Sequence, residues 1–191
     1  MNWTQFLKVE AERSYATTIK LIEKVDPASL HWKPETGKNW MTVGQLLKHL
    51  TDGCGSACRG FVTGDWGLPE GARFEDIPPE EMLPPAEKLP ALDHVEKALP
   101  LMLEDERLTL MMIDLAGEDA LANRDVEVPW MPGPKLPLGY RLHQMIQHLD
   151  RHKSQLFYYL KLQGVPVDTI DLWGREEAGA QTPEEEAVFP A

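Results

Sequence analysis

Apolar residues recur with a helical period of 3.6 in two long stretches of the chain. Over residues 42–62, Val43, Leu46, Leu47, Leu50, Cys54, Ala57 and Phe61 fall on one face, and Thr42 stands where an N-cap hydroxyl belongs. Over residues 138–163, Leu142, Met145, Leu149, Leu156 and Leu160 form a stripe that Gly164 terminates. A further helix is predicted from near Pro90, with Leu92, Val95, Leu99, Met102 and Leu103 inward. Pro100 lies inside that pattern and predicts a bend or a restart. Near the amino terminus Leu7, Ala11, Ile22 and Val25 share a face, which Ser14 and Thr18 dilute.

The 16 prolines bracket these stretches. Seven crowd residues 69–100 and four lie between Pro129 and Pro137. Proline breaks helix interiors, so long elements belong in the proline-free windows 1–26, 35–68, 101–128 and 138–165. Four windows predict an all-α four-helix bundle. The connectors at 26–41 and 63–88 are too long for the simplest up-down-up-down arrangement and predict crossover loops. Asp125-Val126-Glu127-Val128 alternates in polarity and predicts a small strand or hairpin before the last helix. The bundle is expected to occupy residues 1–173, and residues 174–191, with Glu184-Glu185-Glu186, to form an acidic flexible tail.

Composition narrows the function. The 191 residues, 42% hydrophobic and 26% charged, suit one folded domain. A net charge of -12, from 31 acidic against 19 basic side chains, opposes binding to a nucleic-acid backbone. No apolar run approaches a membrane span, and MNWTQFLKVEAERSY lacks a signal-peptide pattern. Two cysteines make no disulfide framework, so a cytoplasmic setting without membrane or nucleic-acid partners is expected. Cys54 and Cys58 read as core thiols. The six tryptophans fall mostly in connectors as loop anchors, with Trp130 placed to wall a pocket.

The histidines carry the candidate chemistry. His148 and His152, at i and i+4, lie within about 40° of each other on the edge of the last apolar stripe. His143 falls on the opposite face and is expected in solvent. His49, about 60° from Leu46, flanks the stripe of the second helix, with Gly53, Ser56 and Gly60 leaving room beside it. Imidazoles on a core-facing flank need hydrogen-bond partners or a metal. Periodicity leaves both open: a three-histidine metal site, or histidines satisfied in the core or by water. Gln155 and Tyr159 share the angular sector of His148 and are candidates for supporting the site or lining a pocket. Leu149-Asp150-Arg151 between the paired histidines lacks the glutamate of a zincin protease.

Three segments together resemble the DinB/YfiT-like superfamily. They are Leu30-His31-Trp32-Lys33-Pro34 followed by Trp40 to Leu50, then His148 to Leu156, then Tyr159 to Gly164. The resemblance spans roughly residues 3–173, with the middle third matched by helix order alone. It implies a four-helix bundle with long crossovers, often dimeric, and a divalent metal held by His49, His148 and His152. Family members often read His-Arg-Gly-Gln after the last ligand, whereas Lys153 and Ser154 stand here before Gln155. The resemblance also implies transfer reactions of low-molecular-weight thiols, or hydrolysis. Three histidines leave coordination positions open for such a thiol or a water. Imidazole suits zinc, nickel, copper and iron alike.

The leading expectation is therefore a metal-dependent thiol transferase or hydrolase acting on a small molecule, with no catalytic base identifiable. The alternative is a non-catalytic bundle that binds a partner and uses its histidines structurally.

Overall fold

A computed structural model describes residues 1–130 and 133–175. Its helices are α1 (Trp3–Ile22), α2 (Val43–Leu50), α3 (Gly55–Thr63), α4 (Pro79–Met82), α5 (Ala98–Asn123), α6 (Leu138–Leu162) and α7 (Thr169–Trp173). The expected tail lies outside the described residues from 176 onward.

Helix α1 begins where the Asn2 side chain accepts from Gln5 N–H at 2.9 Å. Glu118 of α5 then takes the free N–H groups of Trp3 and Thr4 at 3.0 and 2.9 Å. A carboxylate at a helix N-terminus is favoured by the unpaired donors and the helix dipole. Ser14 and Thr18 are fully buried and do not dilute the inner face. Thr18 Oγ1 donates to the Ser14 carbonyl at 2.6 Å, so its hydroxyl enters the core already paired.

The stretch expected as one helix over 42–62 is two. Thr42 caps α2 as predicted, and Gln45 closes the capping box by accepting from Thr42 N–H. The chain leaves the helix at Thr51–Cys54 and restarts at Gly55. Glycine at 53 and 55 weakens the helix there, but the restart is made from elsewhere: Asp105 of α5 accepts from Gly55 N–H at 3.0 Å. Arg124 closes the other end of α3 on the carbonyls of Phe61 and Val62.

The helix expected from near Pro90 does not start there, and Pro100 marks the beginning of the α-helix rather than a bend within it. α5 begins at Ala98 after a 3-10 turn over Val95–Lys97, so Pro100 sits in the first turn, where its missing N–H has no partner to lose. Leu103, expected inward, is 55% exposed, because the face that packs inward runs through Met102, Asp105, Thr109 and Met112. The interruption within α5 is instead at Gly117, whose φ of 69° and ψ of 163° are not helical.

The predicted hairpin is present as β1 (Asp125–Val126) against β2 (Leu136–Pro137), antiparallel. Buried Arg141 ties it down through the carbonyls of Val126 and Pro134. α6 runs to Leu162 and stops at Gly164 (φ 79°), with Val165 N–H on the Leu160 carbonyl at 2.9 Å.

The architecture is all-α with one small hairpin. α1 packs on α5 and α6, while α2 and α3 together form the fourth column against α5 and α6. One core joins Leu7, Leu21, Leu46, Leu50, Met102, Ile113, Leu142, Leu156 and Tyr159. No helix among the described residues is long and apolar enough to cross a membrane.

Candidate metal centre

His49 lies in the last turn of α2, just before the break, and His148 and His152 lie one turn apart on α6. The structure brings all three together. His148 Nε2 is 3.1 Å from His49 Nε2 and 3.0 Å from His152 Nε2, and the three donor atoms lie within 4.8 Å of one another. The rings stand edge to face, with centroids 4.5 to 4.9 Å apart. Gly53 does not make room beside the His49 ring as expected: a Cβ there would meet the His49 backbone carbonyl at 2.7 Å, while His148 Cε1 at 3.5 Å is an ordinary contact. Gly60 has another purpose, since the Trp66 indole lies directly on it. Ser56 hydrogen-bonds the Asp52 carbonyl.

The donor set tests whether a cation fits. A ring nitrogen has one in-plane position, holding either a proton or a lone pair. His148 Nε2 therefore completes one of its two close contacts as a full hydrogen bond and leaves the other unmatched. A cation that accepts three lone pairs removes the conflict. Imidazole nitrogens at roughly 2.0–2.1 Å from a tetrahedral zinc stand about 3.3 Å apart, close to the two spacings that His148 makes here.

Electrostatics favours the neutral rings that such a site requires. Burial lowers the pKa of His49 to about 4, and the neighbouring His152 adds to the fall while Asp52 opposes it. His148 is lowered to about 4 by burial, then by His152, His49 and Arg151. Burial also lowers His152, against a rise from its hydrogen bond to Gln155.

Gln155 and Tyr159 both reach the cluster's surroundings. Gln155 Oε1 is 3.0 Å from His152 Nδ1, and its amide nitrogen donates to the Tyr159 hydroxyl at 2.9 Å. That hydroxyl donates in turn to the Met41 carbonyl at 2.9 Å. Tyr159 is buried, with Trp32 and Trp40 edge-on to its ring.

The remaining histidines stay apart. His31 and His94 are exposed. His143 is not free in solvent as expected but half-buried, because Phe6 of α1 packs edge-on against it at 5.1 Å. Cys54 and Cys58 are buried free thiols outside the cluster. Trp130 packs on Trp66, which with Leu68, Phe74 and Met82 lines a cavity of about 760 Å3 away from the histidines; Trp130 itself is not among the lining residues.

One group escaped the sequence reading. Asp105 is buried and accepts from the Tyr15 hydroxyl at 2.7 Å as well as from Gly55 N–H. Tyr15 also contacts Thr109 at 2.8 Å. The signal was present, since Asp105 is in helical phase with Met102, Thr109 and Met112 on an otherwise inward face.

No curated protein and no solved structure matches the chain. A model of the DinB superfamily matches residues 10–156, a span that runs from α1 through α2 to the end of the paired histidines on α6. By that match the chain belongs to the DinB superfamily.

Proposed function

We propose that the protein is a divalent-metal-dependent enzyme whose metal is held by Nε2 of His49, His148 and His152. The observation that carries this reading is the convergence of three half-buried imidazoles from two helices, their pKa values lowered toward the neutral form. A divalent metal bound there supplies Lewis acidity, lowering the pKa of a bound water or thiol. The chain's own contribution is to keep the rings neutral, to leave coordination positions open with only three ligands, and to anchor His152 through Gln155. Low-molecular-weight thiol transfer stands ahead of hydrolysis as the reaction class, with a small-molecule electrophile as substrate and a homodimer as the working assembly.

Metal analysis of protein purified without a histidine tag tests the site. Near-stoichiometric zinc, nickel or iron supports it. Below about a tenth of an equivalent, the non-catalytic bundle replaces the enzyme, since three-histidine sites bind firmly. His49→Ala is expected to abolish occupancy and His143→Ala to leave it intact. Equal effects of the two would overturn the ligand assignment. Turnover of electrophilic acceptors, screened with and without added thiol beside ester and amide hydrolysis, separates the two reaction classes. Activity indifferent to thiol assigns hydrolysis.

A further inference from the structure

We infer that Tyr159 and Gln155 are positioning residues that dictate the tautomer of His152, and with it which ring nitrogen this histidine offers to a cation. The inference rests on the proposed metal site for its consequence, but the tautomer follows from the hydrogen bonds alone.

The argument starts at Met41, whose backbone carbonyl only accepts. Tyr159 has a single O–H, and it is committed to that carbonyl at 2.9 Å. Toward Gln155, 2.9 Å away, the hydroxyl oxygen therefore accepts, and the amide must turn its NH2 group to Tyr159. The amide oxygen is then left facing His152 Nδ1 at 3.0 Å. An amide oxygen only accepts, so Nδ1 carries the proton. A neutral imidazole has one N–H, and Nε2 is left with its lone pair directed at the cluster. Each link has one permitted direction once the first is set.

Both ends of this chain are held. Tyr159 is 1% exposed and flanked by Trp32 and Trp40 at 5.2 and 6.2 Å, so its ring cannot swing away from Met41. Met41 sits beside the Thr42 cap, and Val43 N–H bonds the Trp32 carbonyl at 2.9 Å. Among the three histidines, His152 alone has its second nitrogen held by another side chain of the described residues. It is the pre-aligned member of the set.

Ring-nitrogen NMR on the metal-free protein reads the tautomer directly, with His152 identified by the loss of its signals in His152→Ala. Wild type is expected in the Nδ1–H form. Tyr159→Phe keeps the ring and removes only the hydroxyl, freeing the amide to turn. It is expected to show a mixture with the Nε2–H form and to bind zinc about tenfold more weakly, within the range for loss of a ligand's hydrogen-bond partner. Gln155→Glu keeps an acceptor at Nδ1 and is expected to retain both the tautomer and zinc affinity. The Nε2–H form in wild type would overturn the inference. So would Tyr159→Phe that unfolds more easily but leaves the tautomer unchanged, or Gln155→Glu that loses Nδ1–H. Should wild type bind no zinc while showing Nδ1–H, the metal reading fails and the positioning chain stands.

Discussion

Each imidazole of the cluster is a ligand only when neutral, and burial lowers the pH at which each one charges. The pKa values of His49 and His148 fall from 6.5 to about 4. Protons therefore compete weakly with a metal at His49 and His148, and between about pH 7 and pH 4 zinc affinity is expected to fall later than ordinary imidazoles, which charge near 6.5, would allow. Isothermal titration across that range checks it; a decline beginning near pH 6.5 would mean ordinary imidazoles. The same shifts act on folding. The unfolded chain takes up protons below 6.5 that the folded chain refuses until about 4, so this part of the stability is present above pH 6.5 and lost as pH falls through 4. Asp105 works in the opposite sense. Burial raises its pKa, against the hydrogen bonds from Tyr15 and Gly55. The folded state then keeps a proton that the unfolded state has released, and stability falls as pH rises through the raised value. Asp105→Asn can still accept from Gly55 N–H but has no charge to bury. Its urea midpoint relative to wild type is expected to improve from pH 4 toward pH 7. A constant difference across that range would refute the raised value.

At the scale of elements, the break between α2 and α3 matters most, because His49 occupies the last turn before it. Asp105 makes the first bond of α3, and a Cβ on Gly55 would lie 2.6 Å from the Asp105 backbone carbonyl and 2.7 Å from its carboxylate. Gly55→Ala is thus expected to destabilise by about 1–3 kcal/mol through overpacking and, by shifting the end of α2, to weaken zinc binding. Gly117 supplies the contrast. Nothing lies within 4 Å of a Cβ there, yet its φ of 69° and ψ of 163° belong to a region that is essentially glycine's alone. Gly117→Ala is expected to lose a similar ~1–3 kcal/mol from backbone strain, with zinc affinity unchanged in the folded fraction. Denaturant melts paired with zinc titrations distinguish the two. Equal effects on zinc binding would remove the break's role in placing His49.

Over the whole molecule, the cluster joins two columns whose histidines lie 99 residues apart in the chain. A ligand that binds only the folded state at a hundred times its Kd adds about 2.7 kcal/mol. For a chain of this size zinc is expected to raise Tm by about 5–10 °C, and His49→Ala to abolish the rise. A thermal scan with zinc and with chelator measures it; an undiminished rise in His49→Ala would place the ion elsewhere. Much of this was readable in advance. The proline-free windows, the Thr42 cap, the Gly164 stop, the alternating stretch that became β1, and the shared face of His148 and His152 all depend on residues within about four positions of one another. Backbone sterics and helical phase act at that range, so the amino-acid order alone carries them. The single helix over 42–62 and the solvated His143 differ from the structure because distant partners overrule local preference, whereas Pro100 and Leu103 follow from where α5 starts and which face it turns inward. Asp105 reaches Gly55 across 50 residues, and Phe6 of α1 covers His143 of α6. The approach of His49 to His148 and the bond from Tyr159 to Met41, 118 residues away, belong to the same class. Helical phase says which side a residue faces; only the packed columns decide what it meets there.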